Sequence, residues 1–552
     1  ILCVANISRS AQPVELELSR FKGRGPVEML GRQSFPPIGE LPYLLTVAAH
    51  GFYWFRLAAD APAPDWHVER GTVEALPVVV LFDGWNSFFR DRVVPWRIGL
   101  AEKTRAQFET ALLPHFLARQ RWYAAKGEAA HPARLVDHAL FESPSAPGKD
   151  WLLVQADVQG PTETARYSLP LTLAWEGKDD ERIKQIGPTA IAKARQQAVV
   201  GLLADAGADP ALCMAVVEAI AARRELAGAN GRLRFTPTAA FDRLAGTDRA
   251  LLAPVRALGI SSNTVALLGE KLFIKWYRRI RAGENPELEM GRYLTDVARF
   301  EHCVPVAGSV DHVAPDGTVR TLALLQAFVP NQGDAWSSTV DALARQLEGK
   351  RNHVEQPLDD STDAFLALMA TLGRRTAELH AALARRTGDP AFDPEPVTAD
   401  DVAGWVRAAR ADAAATFDLL SSRHATLPPT LLDTAQRLFA AGPRLQAALG
   451  EDLRPPFAGH KTRTHGDYHL GQVLVARNDF VIIDFEGEPA RDLAERRRKH
   501  SPLRDVAGML RSFDYARQAA LRQAAHTDAD VESMLPASDA WEKRVRDAFL
   551  HG

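Results

Sequence analysis

The chain has 552 residues, with 66 lysines and arginines against 69 aspartates and glutamates, which gives a formal net charge of −3. This balance argues against a basic surface for nucleic acid or membrane, and the longest apolar run, near Leu76–Phe82, is too short to span a bilayer. Three widely separated cysteines suit neither a disulfide framework nor a zinc site, so a reducing, cytoplasmic location is expected, and the length predicts about two to four domains.

Residues 1–58 are predicted to form a small all-β domain. Val14–Leu18 alternates apolar and polar side chains, as does part of Tyr53–Leu57, and turns rich in glycine and proline separate these segments. The chain opens on strand-like residues without an initiator methionine, so we expect an excerpt of a longer polypeptide. Residues 59–71, rich in proline and alanine, are predicted to be a linker.

Residues 72–205 are predicted to mix strands with helices. The apolar strand near Leu76–Phe82 leads into a helix near 101–120, whose apolar side chains recur at helical spacing. A second, alanine-rich part near 189–226 is also predicted to be helical.

The second half of the chain changes from strand-rich to helical. Residues 206–333 contain a strand, a loop, a strand, a helix and further strands, whereas residues 334–552 are rich in Ala, Leu and Arg. Long amphipathic helices are predicted at 362–387, 398–421 and 429–449. A β-rich lobe followed by a helical lobe predicts an α+β, bilobal kinase-like fold.

A catalytic loop is predicted at His465-Gly466-Asp467, inside the helical half. Asp467 is the expected catalytic base, which accepts the proton of an attacking hydroxyl. Gln472 follows five residues later, and Asp484 comes directly after an apolar strand. A carboxamide and a carboxylate at these positions are suited to hold Mg²⁺ against the phosphates of ATP. The chain is therefore predicted to be an ATP-dependent kinase.

A kinase of this type also needs a lysine on a strand and a glutamate on the following helix. Lys275 lies in an apolar strand and is expected to contact the α- and β-phosphates. Glu289 is expected to pair with Lys275, and Glu287 is the competing partner. Three arginines compete with Lys275 for the phosphates: Arg278, Arg279 and Arg281.

The remaining nucleotide contacts are predicted from position in the chain. No G-x-G-x-x-G motif precedes the lysine strand, and the loop Ser261-Ser262-Asn263 is expected to bind phosphate through hydroxyl, amide and backbone N–H groups. Gln326 and Phe328 follow an apolar strand where the hinge between the lobes belongs, so their backbone is expected to meet the adenine edge.

Several polar and aromatic residues are candidates for binding the acceptor. His469 lies in the catalytic loop, and Glu486, Glu488 and Tyr515 follow Asp484, where their side chains suit sugar hydroxyls or amines. The charged run Glu495–His500 is either a solvated helix face or a patch for a substrate or partner.

With these residues in place, residues 72–552 resemble the actinobacterial-type maltokinases, relatives of the aminoglycoside and choline phosphotransferases. The resemblance implies an aminoglycoside phosphotransferase-like fold in which residues 72–205 form an N-terminal cap subdomain. It also implies that ATP and maltose give ADP and maltose 1-phosphate, with Asp467 taking the proton of the anomeric hydroxyl, in a route from trehalose to α-glucan. The segments that carry the resemblance are Leu113–Leu117, Gln120–Gly127, Asn285–Glu289, His465–His469, Asp484–Pro489 and Ser501–Leu510.

Residues 1–58 resemble instead the C-terminal β-domain of trehalose synthase, a glycoside hydrolase family 13 enzyme. This resemblance rests on Val4–Arg9, Pro36–Tyr43 and Gly51–Phe55. It implies the junction of a natural fusion, with no isomerase activity in this chain and possible association with the trehalose synthase catalytic domain. Maltokinases are expected to continue with a last helical segment past the position of Gly552.

Two other functions stay open at this point. The chain could be a kinase of the same superfamily that acts on another sugar or on an aminoglycoside. It could also be a non-catalytic scaffold for a trehalose synthase assembly. A scaffold needs none of the predicted chemical groups, so their presence favours an enzyme: Lys275, Glu289, Asp467, Gln472 and Asp484.

Overall fold

The computed structural model describes residues 1–552 apart from positions 11, 30–32, 59–75, 124–130, 161–162, 258–262, 352–357 and 452. For residues 350, 351 and 358–361 only the backbone is described. The chain divides into two compact units, Ile1–Leu76 and Pro77–Gly552. The predicted linker, 59–71, lies outside the described residues.

The first unit is a small all-β domain, as predicted. Strand β5 lies between β1 and β3, and β2 pairs with β4 in an antiparallel ribbon. Phe55 on β5 is fully buried, and the rings of Phe35 and Tyr53 pack against it. The strands are β1 (Leu2–Ala5), β2 (Gln12–Leu16), β3 (Gly25–Glu28), β4 (Tyr43–Val47) and β5 (Phe52–Ala58).

The second unit begins with a cap subdomain built on a sheet of order β6-β10-β11-β9-β8-β7, in which β6 and β10 are parallel. Its strands are β6 (Val78–Leu81), β7 (Ala133–Glu142), β8 (Asp150–Gln159), β9 (Thr164–Trp175), β10 (Ala190–Gln196) and β11 (Val199–Asp205). Its helices are α1 (Ile98–Gln107), α2 (Leu113–Ala118) and α3 (Asp180–Ile186). A π-helical turn joins α1 to α2, and Phe108, Leu112 and Phe116 pack into the core of the sheet, as the helical pattern predicts.

The alanine-rich part near 189–226 is predicted to be helical, and this prediction is wrong for its first half. That half forms β10 and β11, and a helix follows only at α4 (Pro210–Ala221). Ala192, Ala194 and Ala204 are buried within the sheet. The helix propensity of alanine amounts to a few tenths of a kcal/mol per residue, so tertiary packing of these small side chains overrides it.

The N-lobe is a seven-stranded sheet of order β12-β13-β18-β19-β16-β15-β14. The short strand β17 leaves this lobe and pairs with β9 of the cap, so the two sheets are joined by backbone hydrogen bonds. The strands are β12 (Glu225–Gly228), β13 (Gly231–Pro237), β14 (Val255–Ala257), β15 (Thr264–Leu268), β16 (Leu272–Trp276), β17 (Arg279–Ile280), β18 (Val306–Val313) and β19 (Val319–Ala327). The further helices are α5 (Phe241–Ala245) and α6 (Pro286–Arg292).

The C-lobe is helical, and its core includes Met369, Phe513 and Trp541 from three helices. The three predicted amphipathic helices correspond to its second, third and fourth helices. Its helices are α7 (Ala335–Arg351), α8 (Leu358–Leu383), α9 (Ala399–Ser422), α10 (Pro429–Ala448), α11 (Leu493–Arg496), α12 (Leu503–Ala524) and α13 (Asp528–His551). Its short strands are β20 (Glu395–Pro396), β21 (His460–Lys461), β22 (Val473–Ala476) and β23 (Asp479–Ile482).

The hairpin β22–β23 is hydrogen-bonded to the segments before β18 and after β19 of the N-lobe. The N–H group of Ile482 donates to the carbonyl of His302 at 2.8 Å, and that of Val475 donates to Gly333 at 2.9 Å. These bonds place the end of β23 close to β16 of the N-lobe. The predicted fold class is confirmed, and among the described residues no helix is both long and apolar enough to cross a membrane.

Candidate active site

One buried carboxylate holds the loop that contains Asp467. The backbone N–H groups of His465 and Gly466 donate to the two carboxylate oxygens of Asp505, at 2.8 and 2.9 Å. His465 Nε2 lies 2.8 Å from the carbonyl oxygen of Ile483, which ties the loop to the end of β23. Gly466 has a φ of +83°, a conformation that glycine adopts without strain. The loop therefore presents Asp467 from a fixed backbone.

Sequence reasoning did not single out Asp505, although it lies in the Ser501–Leu510 segment. It is the first acidic residue of α12, the helix that follows the catalytic hairpin, and it is almost fully buried. An aspartate in the first turn of an otherwise amphipathic helix is usually a solvated residue that favours the helix dipole. Its burial against two backbone N–H groups follows only from the tertiary structure.

Asp484 lies directly beyond β23 in a strained backbone conformation. Its φ is +63°, in the left-handed region that residues other than glycine rarely adopt. Such a conformation costs on the order of 1 kcal/mol or more and persists where the surrounding structure enforces it, often at functional sites. The strain turns the Asp484 carboxylate toward β16.

Lys275 on β16 lies among three carboxylates. Its ammonium group donates to Glu287 Oε2 at 2.7 Å, to Asp484 Oδ1 at 3.1 Å and to Glu486 Oε1 at 2.6 Å. The oxygens of these three acids lie within 4.8 Å of one another. The hydroxyl of Tyr277 also donates to Glu287. Three acids around one ammonium leave a surplus of negative charge, which a hard cation would balance.

Burial and charge shift the pKa values of this cluster in opposite directions. Burial alone would lower the pKa of Lys275, but Glu287, Glu486 and Asp484 together raise it well above its ordinary value. Burial raises the pKa of Glu287 to about 7, against the opposing effect of Lys275 and with support from Asp484. Burial would raise the pKa of Asp484 as well, yet Lys275 and a hydrogen bond from Gln472 hold it below its ordinary value. Lys275 is therefore charged, and Asp484 is ionised.

The predicted pairing of Lys275 with Glu289 is wrong, and the competing residue Glu287 takes that place. Asn285 caps α6 by accepting from the backbone N–H of Glu287 at 2.8 Å, so both glutamates lie in its first turn. Two positions along an α-helix differ by about 200° in direction. Because Glu287 faces β16, Glu289 faces away, toward Arg463 at 2.7 Å and Arg497 at 2.7 Å.

The two glutamates should therefore respond differently to the same substitution. Glu287→Gln weakens the charged hydrogen bond to Lys275, so we expect kcat/KM for ATP to fall by about tenfold or more. Glu289→Gln leaves Arg463 and Arg497 without a full negative charge, so we expect a lower melting temperature and an unchanged KM for ATP. Steady-state kinetics and thermal unfolding of both variants test this contrast. A lower melting temperature in Glu287→Gln, with a kinetic defect only in Glu289→Gln, would contradict it.

A cavity of about 390 Å³ lies between β16, α6 and the β22–β23 hairpin. We call it the Lys275 cavity. Apolar side chains such as Val265, Phe273 and Ile482 form part of its wall. It brings together most of the predicted nucleotide, metal and catalytic residues, together with Glu486 from the predicted acceptor set: Asn263, Lys275, Gln326, Phe328, Asp467, Gln472 and Asp484.

The hinge residues line this cavity in a different way from the one expected. The N–H group of Ala327 donates to Pro305 at 2.9 Å, and that of Phe328 donates to Lys271 at 2.7 Å. These two donors are occupied by protein carbonyls and are not available to an adenine edge. Gln326 is buried in β19, and Phe328 and Val329 line the cavity beside it.

Other predicted residues lie elsewhere or fall outside the described residues. Ser261 and Ser262 are outside them. His469 accepts a hydrogen bond from the N–H of Gly471 in its own turn, and Glu488 pairs with Arg491 and Arg504. Tyr515 is half exposed on α12 beside Arg511. Glu486, expected to contact the acceptor, binds Lys275 instead.

A second and larger cavity, of about 930 Å³, lies beside α9; we call it the Trp405 cavity. The ring of Trp405 stacks on His500 at 4.3 Å between centroids. Arg463, four residues before Asp467, lines it together with Asp400 and Asp412. The interpretation of Glu495–His500 as a solvated helix face is wrong, because α11 ends at Arg496 and five residues of the run line this cavity: Glu495, Arg497, Arg498, Lys499 and His500.

Three parts of the chain match known protein families. Residues 1–54 match the C-terminal domain of maltogenic amylase. Residues 116–209 match the maltokinase N-terminal cap domain, and residues 361–541 match the phosphotransferase enzyme family.

Curated relatives match different parts of the chain. A glucosamine kinase from Streptacidiphilus jiangxiensis is 28% identical over 316 residues, which is 57% of this chain and 66% of that protein. A trehalose synthase from Pimelobacter sp. (strain R48) is 65% identical over 57 residues, or 10% of each chain. The trehalose synthase/amylase TreS of Mycolicibacterium smegmatis is 56% identical over 64 residues, which cover 12% of this chain and 11% of the relative. The chain thus spans less than two thirds of each of these relatives.

Two solved structures of a glucosamine kinase share the fold. Crystal form B is 24% identical, with a TM-score of 0.51 over 81% of this chain and 86% of the other. The complex with glucosamine, ADP and inorganic phosphate is 23% identical, with a TM-score of 0.50 over 79% and 86% of the two chains. The chain thus combines a domain similar to the C-terminal region of trehalose synthases with a segment that matches the maltokinase cap domain and a segment that matches the phosphotransferase enzyme family.

Proposed function

We propose that this protein transfers the γ-phosphoryl group of ATP to the anomeric hydroxyl of maltose, giving ADP and maltose 1-phosphate. One observation carries the proposal: Lys275 on β16 and Asp467 and Asp484, which flank the β22–β23 hairpin, line a single cavity. These are the groups that phosphoryl transfer needs to bind phosphates, receive a proton and hold a cation. A scaffold would have no reason to assemble them.

The Lys275 cavity would hold the nucleotide and its metal. Asp484 and Gln472 would hold Mg²⁺, as expected, and Glu486 adds a third oxygen donor beside them. This donor set consists of oxygen atoms, which Mg²⁺ prefers. When bound, the ion neutralises charge on the phosphates. Lys275, still paired with Glu287, would then donate to the phosphate oxygens instead of to Asp484 and Glu486.

Asp467 would accept the proton of the sugar hydroxyl. Its backbone is fixed through Asp505 and His465, so its carboxylate does not need to be ordered when the acceptor binds. A positioned general base contributes about 10²–10⁴-fold to a rate. The rest of the rate enhancement comes from placing the sugar hydroxyl in line with the γ-phosphorus.

Maltose is proposed as the acceptor on three grounds. The cap matches the maltokinase cap domain, and the glucosamine kinases that share the fold act on a sugar. The Trp405 cavity offers an aromatic face with charged groups around it, a combination that suits a polyhydroxylated disaccharide.

The trehalose synthase-type domain supports association with a trehalose synthase catalytic domain.

ADP release from Mg-ATP over a panel of acceptors tests the reaction. Maltose, glucose, glucosamine, trehalose and an aminoglycoside are offered in turn to the full chain. We expect turnover with maltose well above the other acceptors and a product that carries phosphate on the anomeric carbon. Turnover with a different acceptor would refute the substrate and keep the kinase, whereas no turnover with any acceptor would refute both.

The place of the acceptor is tested with Trp405→Ala. Loss of the aromatic face should raise KM for maltose by about two- to tenfold and leave KM for ATP unchanged. Trp96→Ala is the matched control, because Trp96 is 79% exposed on the cap, away from both cavities. An unchanged KM for maltose in Trp405→Ala would place the acceptor elsewhere.

A further inference from the structure

A third cavity, of about 640 Å³, lies between the cap, the N-lobe and the segment that follows Asp484. We call it the arginine cavity. It is lined by guanidinium groups from β9, β17, the loop before α6, β19 and the segment before α11, namely Arg166, Arg279, Arg281, Arg320 and Arg491. The carboxylates in its wall are Asp157, Glu163 and Asp492. The guanidinium of Arg491 is balanced from outside this cavity by Asp412, Glu488 and Glu495, so the other four arginines face three carboxylates.

The hydrogen-bond and ion-pair partners of these arginines show which of them keep an unbalanced positive charge. Arg166 forms a two-bond pair with Asp157, at 2.7 and 2.9 Å, and Arg279 pairs with Glu163. Arg281 donates to the carbonyl oxygen of Arg491 at 3.1 Å, a neutral acceptor. Within the part of the chain that the structure describes, the guanidinium of Arg320 makes no hydrogen bond or ion pair. Asp492 is occupied as the cap of α11.

The surplus charge is also partly desolvated. Burial lowers the pKa of Arg320, and the neighbouring Arg166 lowers it further. Arg496, close by, has its pKa lowered by burial and then by Arg281 and Arg279. Grouping like charges in a partly buried place opposes folding unless an anion balances them.

We propose that the arginine cavity binds a phosphate group, either free or carried by a small sugar. Planar guanidinium groups donate two parallel hydrogen bonds to phosphate oxygens, which makes arginine the preferred residue for such recognition. The volume of about 640 Å³ exceeds the needs of inorganic phosphate and leaves room for a sugar ring. This binding does not depend on the proposed phosphoryl transfer.

The arginine cavity lies where three parts of the molecule meet. Arg166 belongs to the cap, Arg320 to the N-lobe, and Arg491 lies seven residues after Asp484. Since Arg281 already holds the backbone of Arg491, a ligand on Arg281 and Arg320 would brace the segment that contains Asp484 and Glu486. The cavity is therefore placed to link the amount of a phosphorylated ligand to the geometry of the Lys275 cavity.

Isothermal titration of the full chain, without ATP or Mg²⁺, tests the proposal with two probes, glucose 1-phosphate and inorganic phosphate. We expect binding that weakens as salt is added, and an affinity about tenfold lower in both Arg281→Gln and Arg320→Gln. Arg320→Lys keeps the charge but not the fork of donors, so its affinity should lie between those of wild type and Arg320→Gln. Arg444→Gln, an exposed arginine on α10, is the matched control and should bind like wild type.

The two probes separate the two sources of phosphate. Tighter binding of glucose 1-phosphate than of inorganic phosphate would indicate a sugar phosphate, and equal binding would indicate phosphate alone. No binding of either probe, or an unchanged affinity in both glutamine variants, would overturn the proposal. Melting temperatures of all variants confirm that each one is folded before it is titrated.

Discussion

Replacing Asp467 by Asn is expected to lower turnover with maltose by about 10²–10⁴-fold, the contribution of a positioned general base. The substitution keeps the size of the side chain and removes only its ability to take a proton. Lys275, Glu287 and Asp484 are untouched, so ATP should bind as well as it does to wild type. Rates of ADP release and a nucleotide titration measure the two quantities separately.

Asp433→Asn is the control for this substitution. Asp433 is an exposed residue of α10 and pairs with Arg437 on the same helix. Its variant should keep full turnover and the wild-type melting temperature. If Asp467→Asn retained a tenth or more of wild-type turnover, Asp467 would not be the base, whatever the acceptor proves to be.

Replacing Asp505 by Ala is expected to have the second largest effect. The change removes the acceptor of two backbone N–H groups in the catalytic loop and the partner of His380, 3.2 Å away. Removing one partner from a buried charged cluster costs about 3–5 kcal/mol. Hydrogen exchange of the peptide around His465 and Gly466 should accelerate strongly, and turnover should fall because Asp467 loses its fixed backbone.

The pH dependence of this effect follows from the pKa of Asp505. Burial would raise this pKa, but the hydrogen bond with His380, the field of His465 and the N–H of Gly466 hold it below its ordinary value. The stability that Asp505 provides is therefore fully present above about pH 4, the unfolded pKa, and is lost as pH falls through the lower folded pKa. The gap in melting temperature between wild type and Asp505→Ala should narrow on acidification.

Asp514→Ala is the control on the same helix, because Asp514 is 38% exposed and pairs with Arg517. Its variant should show no change in exchange of the catalytic loop. Equal exchange rates for His465 and Gly466 in wild type and Asp505→Ala would show that the loop is held by other contacts.

The grouping of several residues around the Lys275 cavity was predictable because each of them belongs to a short local pattern. Asp467, Gln472 and Asp484 lie within twenty residues of one another, on a loop and hairpin whose backbone bonds are mostly local. The strand that contains Lys275 and the N-cap residue of α6, Asn285, were equally predictable. Alternation of apolar side chains and helix capping both depend on neighbouring residues.

The features that could not be predicted depend on the direction in which a side chain points from its helix, or on contacts with residues far away in the chain. The choice between Glu287 and Glu289 required the orientation of α6, since both residues lie in the same helical turn. The partners of Glu289, Arg463 and Arg497, come from a region more than 170 residues later. Strands β10 and β11 were wrongly predicted to be helical because the sheet that buries them is assembled from distant parts of the chain.

The pairing of β17 with β9 has a mechanical consequence. Arg279 and Ile280 continue directly from the lysine strand β16, and their backbone is hydrogen-bonded to the cap at Tyr167 and Arg166. A buried ion pair between Asp205 and Arg278 and a buried hydrogen bond between Asp137 and His312 also connect the cap to this lobe. These contacts join the cap firmly to the lobe that contains Lys275. A displacement of the cap would therefore be transmitted to Lys275 through the three residues that separate it from Arg279.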